Sequence, residues 1–412
     1  MKKVNLYLDK ISLFLIITLP IGLLISSGVS ATIEILIIIF FLITSIYNKD
    51  FDWLKNKYFL LLLIIWISLL LNLLFTQNFI LSFSRNIFFF KNIIFVFAIC
   101  ESLKKEKNFN LIFTAYLIIT AIVAFDIFFE YFNNKDILGF QSYDPSRIAS
   151  FLRKELKIGH FVLAFSFITV GYFFEKYSKN KKNFQVFGFL LITSFFISLL
   201  LTGERANSLK GLFIALMFIL FSKKEIFKYK KKFFLIIILL SLGTYFFSEK
   251  IKYRFNVILN PIKNIGIIES FKETQHGAHY YTAVKIFLKY PMFGVGNKNF
   301  REECLKEEYE NNNYKRIAER CATHPHQIYF ELLSEHGLIG TITIISVIFF
   351  IVFQGFKIYL KNKNLIHLAS ILFITAQFLP VIPSGSFFTS WGATIFWMNF
   401  SILIFYNNKN SL

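Results

Sequence analysis

The chain has 412 residues, of which 55% are hydrophobic and 19% aromatic, and a formal net charge of +20. A single water-soluble core of this length cannot bury that much apolar surface, which excludes one ordinary globular domain. The positive charge falls in short lysine clusters between apolar runs, not on one face, which argues against nucleic-acid binding.

Twelve apolar runs follow one another, at about 11–28, 31–47, 58–75, 79–100, 109–130, 159–174, 184–202, 208–221, 233–248, 338–355, 365–382 and 388–406. The first lacks a small-residue cleavage site and reads as a span, not as a removable signal. Placing Lys2, Lys3 and Lys10 in the cytoplasm puts every second linker inside. Those linkers carry Lys49, Lys55 and Lys57, then Lys104, Lys105 and Lys107, then Lys176 to Lys182. Lys223, Lys224, Lys228 and Lys230 to Lys232 follow, and finally Lys357, Lys361 and Lys363. All agree with the positive-inside rule, and one missed span would throw the later linkers out of phase. The expected fold is an all-α membrane protein with about twelve transmembrane helices and both termini cytoplasmic. Residues 1–248 supply nine helices, 249–337 a large helical periplasmic loop, and 338–412 the last three.

In this topology the two long linkers, 131–158 and 249–337, face the periplasm. Arg147, Arg153, Arg254, Arg301, Arg316 and Arg320 lie there against the general charge bias. They are matched by lipid headgroups and by Glu302, Glu303, Glu307 and Glu308, or they recruit an anionic ligand. Arg85 and Lys91, inside the fourth run, either mark a transport path or anchor a broken helix lining a lipid cavity. No repeat, nucleotide loop or zinc spacing is found, and no carboxylate pair on that side suggests a metal. Phe293-Gly294-Val295-Gly296-Asn297, after Tyr290-Pro291, reads as a turn.

The stretch richest in chemistry is Thr323-His324-Pro325-His326-Gln327, which leads into the tenth run through Gly337 and Gly340. Pro325 suits a first helical position with Thr323 or His324 as cap, which puts His326 in the first turn. At about 100° per residue, Gly337 returns to about 20° from His326 and Gly340 lies about 40° to the other side, so all three share one face. A helix N-terminus attracts phosphate and lowers a histidine pKa, favouring a neutral general base beside a diphosphate; the alternative is an ordinary interfacial histidine. Arg205, ending Thr202-Gly203-Glu204-Arg205, either clamps a diphosphate or snorkels and pairs with Glu204. His276 and His279 bind phosphate or are merely solvated. Cys304 and Cys321 share the large loop, as a disulfide or as two thiols.

His326-Gln327, then Gly337 after nine intervening residues and Gly340 after two intervening ones, satisfy the hallmark of the O-antigen ligase family, which the sequence resembles. Tyr290-Pro291-Met292-Phe293-Gly294-Val295-Gly296 is similar to that family's Pro-x-x-Gly-x-Gly turn. The resemblance implies a GT-C-like, metal-independent glycosyltransferase without cofactor in the bacterial inner membrane. Its donor is a glycan on undecaprenyl diphosphate and its acceptor lipid A-core. His326 then matches the catalytic histidine and Arg205 the first essential arginine. His279 stands where many members have a second arginine, and either replaces it or leaves its role to another. Arg147 and Arg153 are placed to contact the carrier's phosphates. A polysaccharide polymerase or protein O-oligosaccharyltransferase of the same family differs in acceptor or growing glycan. A lipid-linked oligosaccharide flippase or other transporter, the alternative of another class, would place charge deep in several spans and keep short loops on both sides.

Overall fold

Apolar runs of this length leave the backbone only itself to bond with, and helix is the result. The computed structural model describes residues 2–177, 182–223 and 230–409, and its regular elements there are α-helices and short 3-10 turns. Lys179, Lys181, Lys224 and Lys228 lie outside the described residues. In chain order the helices are α1 (Lys2–Ile25), α2 (Ser27–Asn48), α3 (Lys57–Asn72), α4 (Phe79–Phe88), α5 (Phe90–Lys104) and α6 (Glu106–Asn133). Next come α7 (Ile158–Tyr177), α8 (Lys182–Leu201), α9 (Arg205–Phe221), α10 (Lys230–Phe247), α11 (Glu249–Ile265) and α12 (Ile267–Lys272). Last are α13 (Gln275–Lys289), α14 (Phe300–Glu303), α15 (Ile328–Asn362), α16 (Leu365–Gln377) and α17 (Ser390–Lys409).

Among the described residues eight helical stretches are long and apolar enough to cross a membrane, or nine if α10 and α11, bent by 94° at their junction, count as one broken span. The apolar runs at 208–221, 365–382 and 388–406 fall outside these eight for physical reasons. At 1.5 Å per residue, the 17 residues of α9 and the 13 of α16 reach only about 26 and 20 Å. α17 buries Thr394, Asn399, Ser401 and Asn407, which lower its apolar character. α16 and α17 are interior helices, whereas α9 is covered on one side and exposes Leu209 and Leu220 on the other. α16 packs on α7 and α9, and α17 on α5. The outer helices instead expose large apolar side chains such as Phe14, Ile35, Leu60, Ile122, Leu190 and Leu239, as hydrocarbon contact requires.

The lysine-rich linkers gather at one end of the bundle. There Lys105 pairs with Asp9, Asn56 donates to Asn408 at 3.1 Å, Tyr359 donates to the Phe221 carbonyl at 2.7 Å, and Glu175 accepts the Leu365 N–H at 2.9 Å. The two long linkers meet at the other end, where Lys250 donates to the Asn134 side-chain oxygen at 2.7 Å and Arg254 lies 3.9 Å from Asp144. The two cations of the fourth run are both engaged. Lys91 pairs with buried Glu34 at 3.0 Å, and Arg85 donates to the Phe388 carbonyl at 2.9 Å.

Candidate active site

The site is framed by a break in α15. Gly337, with φ 61° and ψ −164°, interrupts the helix and orphans the backbone groups on either side of it. The turn after Tyr290 takes them up: Val295 and Gly296 donate to the carbonyls of Ser334 and Glu335 at 3.0 and 2.8 Å. In return Leu338 and Ile339 donate to the carbonyls of Pro291 and Met292 at 2.8 and 3.1 Å. The approach is close enough to demand glycine, because a Cβ at Gly337 would sit 2.4 Å from the Met292 carbonyl group, and one at Gly294 2.4 Å from that of Glu335. Asn72 ties this clasp to α3 by donating to the Phe293 carbonyl at 2.6 Å, and Phe75 stacks on Phe293 at 3.7 Å. The expectation that Gly337 continues the His326 face of an unbroken helix is therefore corrected: its left-handed backbone ends that face.

The expected cap is corrected as well. Gln327, not Thr323 or His324, caps α15, its side-chain oxygen accepting the N–H groups of Tyr329 and Phe330 at 2.7 and 3.2 Å. His326 precedes the helix with left-handed φ of 60°, and its carbonyl accepts the Ser384 N–H at 2.8 Å. This turns the imidazole off the helix axis into a cluster of rings. Its centroid lies 4.2 Å from that of His324, 5.2 Å from His279 and 5.8 Å from His276. Burial pushes all four pKa values down, to about 4 for His276 and His279 and about 3 for His324, with neighbouring imidazoles adding to the effect in those three; for His326 burial alone does so. All four rings are neutral near pH 7. Half-buried His326 makes no side-chain hydrogen bond among the described residues, so its ring is available as a proton acceptor.

His279 is fully buried behind His326, and its Nε2 lies 3.0 Å from the Glu319 carbonyl. That bond requires the neutral ring to carry its proton on Nε2, which leaves it no N–H for a phosphate. The His279 ring lies nearly parallel to that of His326, with centroids 5.2 Å apart. Cys304 and Cys321 are disulfide-bonded, with Cα atoms 5.4 Å apart. Arg320, eight per cent exposed, donates to the Cys304 carbonyl at 2.9 Å and closes the segment preceding the histidines.

Arginines converge on the Thr202–Glu204 turn. Glu204 does not neutralise Arg205: its carboxylate accepts the Gly159 N–H at 2.7 Å, near the start of α7, and the Asn207 amide at 2.6 Å. Arg205 instead donates to the Arg254 carbonyl at 2.9 Å, while Arg254 donates to the Gly203 carbonyl at 3.3 Å. Burial, then Arg254 and Arg147, push the Arg205 pKa down to about 10. Like charges held this close favour an anion between them. Asp144 offsets them only in part, 3.9 Å from Arg254.

A cavity of about 740 Å³ opens beside these groups, lined by His324, His326 and Arg147, and walled on its apolar side by Phe387, Trp391 and Phe396. Arg205 stands next to the lining residues Ala206 and Asn207. Arg153 is elsewhere: it is exposed and lies over the Phe140 ring at 4.0 Å. Four buried polar atoms of the lining, Arg147 Nε, His324 Nε2, Gln377 Nε2 and Ser384 Oγ, have no hydrogen-bond partner among the described residues. Each is costly unless an oxygen-rich ligand satisfies it. Lys157, His160, Lys210, Asn207 and Gln377 also line the cavity, and no motif in the sequence marked any of them. No group of three or more His, Cys, Asp or Glu among the described residues is arranged to hold a metal ion. In comparisons with known proteins, residues 187–345 match the family model described as O-Antigen ligase, and no curated protein matches the chain.

Proposed function

From the match of residues 187–345 to the O-antigen ligase family model, we propose that the chain transfers a glycan from undecaprenyl diphosphate to lipid A-core. The reaction takes place at the periplasmic face of the bacterial inner membrane, with both termini cytoplasmic and 249–337 the periplasmic segment. The observation that carries this reading is one cavity lined both by His326, whose neutral ring makes no hydrogen bond among the described residues, and by Arg147, with Arg205 and Arg254 held beside the neighbouring Thr202–Glu204 turn. His326 takes the proton of the acceptor hydroxyl as that oxygen bonds to the anomeric carbon. The bond from that carbon to the diphosphate breaks, and Arg147, Arg205 and Arg254 stabilise the charge on the departing carrier. The leaving group's charge is met by guanidinium groups, so the chemistry calls for no metal.

The test is expression of wild type and His326→Ala, at equal membrane abundance, in a host lacking its own ligase but making lipid-linked O-antigen. Wild type is expected to decorate lipid A-core and the variant to leave the glycan on its carrier. Longer carrier-linked chains would make the protein a polymerase, glycan on protein an O-oligosaccharyltransferase, and full activity of the variant would remove His326 from the reaction.

A further inference from the structure

We propose that Lys210, with Gln377 as its partner, forms a second anion subsite at the floor of the cavity, which holds the lipid-attached phosphate of the polyprenyl diphosphate. Lys210 is two per cent exposed, and its ammonium meets one neutral acceptor among the described residues, the Gln377 side-chain oxygen at 3.2 Å. A buried ammonium without a carboxylate partner is costly, and within a membrane-level helix such a residue marks a ligand path. The second observation is independent: the Gln377 amide nitrogen, in a side chain eight per cent exposed, has no partner and lines the same cavity. Together they offer an ammonium and an N–H to one oxygen-rich anion.

Position selects which phosphate. Five residues of α9 separate Arg205 from Lys210, about 7.5 Å along the helix, in the direction of the lysine-rich end of the bundle. Gln377 ends α16, whose 13 residues start at that end and rise only about 20 Å against about 30 Å of hydrocarbon. The floor therefore lies deeper than the arginines, on the side from which a polyprenyl tail enters. The arginines hold the sugar-linked phosphate and Lys210 the lipid-linked one. This rests on the reading of the cavity as a polyprenyl diphosphate site.

The experiment measures binding of undecaprenyl phosphate, undecaprenyl diphosphate and dioleoyl phosphatidic acid to the full chain in detergent by native mass spectrometry. Wild type is expected to bind the first two, the diphosphate more tightly. Lys210→Met is expected to lose at least tenfold in affinity for both, whereas Arg205→Ala loses affinity for the diphosphate alone. Because Lys210→Met can fail to fold, Gln377→Glu gives an independent measure: its carboxylate pairs with Lys210, preserves the fold and excludes the monophosphate. Monophosphate binding at wild-type strength in either folded variant overturns the subsite. Equal binding of phosphatidic acid, lost in Lys210→Met, assigns the floor to ordinary lipid headgroups and overturns the carrier assignment. Wild type that binds neither polyprenyl probe overturns the polyprenyl reading together with the subsite.

Discussion

At the scale of single residues, His326 is distinguished by what it lacks. His279 and His324 are buried and each makes a hydrogen bond, while the half-buried His326 ring opens into the cavity with no hydrogen-bond partner among the described residues. Because burial lowers its pKa below 6.5, the neutral base persists as the medium is acidified, and the acid limb of the pH–rate profile is expected below pH 6.5. A half-maximal rate above pH 7 contradicts that assignment. Arg205→Ala is expected to cost about 1.5–3 kcal/mol in donor binding, read as a KM raised by roughly tenfold or more, with Arg205→Lys recovering little because an ammonium cannot make the bidentate contact. His326, Arg205 and Arg147 were legible in the sequence, two of them from motif position and one from charge against the topological bias. Lys210 and Gln377 were not, since a lysine in a short apolar run carries no sign of the cavity it faces. The same limit hid the contact of His279 with the Glu319 carbonyl, which lies 40 residues away.

At the scale of elements, the clasp between the Tyr290–Gly296 turn and the break at Gly337 joins two motifs that are far apart in sequence. Gly337→Ala and Gly294→Ala combine positive φ with a backbone clash, and each is expected to destabilise by more than about 3 kcal/mol, seen as loss of folded protein in detergent. Gly243→Ala is the control: no atom lies within 4 Å and its helix tolerates alanine, so the melting temperature should hold or rise. Both turns were readable as glycine positions, but not their mutual hydrogen bonds, and the cap was misread because Pro325 imitates a first helical residue while Gln327 fills the cap. The histidine cluster sets a pH dependence of stability. His276, His279 and His324 stay neutral when folded and take up protons near pH 6.5 when unfolded, so their contribution is present above pH 6.5 and is lost as pH falls toward about 4. The melting temperature is expected to fall between pH 7 and 5; a flat profile there contradicts their burial.

At the scale of the whole molecule, composition alone required a membrane, and the lysine linkers assembled at one end give the orientation its physical content. Apolar run length did not separate outer from inner helices: α16 and α17 are short or polar and packed among other helices, while the 17-residue α9 still exposes Leu209 and Leu220. The bend between α10 and α11 was likewise hidden, since Ser248 caps the new helix only once the chain has turned. With both long linkers at the opposite end from the lysines, an alkaline phosphatase fused after residue 312 is expected to be active and one fused at the C-terminus inactive. The reverse pattern contradicts the orientation. The central claim, that His326 and the cavity it lines together with Arg147 transfer a glycan from a lipid diphosphate, is tested most directly with purified protein in liposomes supplied with undecaprenyl-diphosphate glycan and lipid A-core. Wild type is expected to form the conjugate, and His326→Ala, folded to the same melting temperature, to do so at a rate lower by about 10²–10⁴; equal rates contradict the claim.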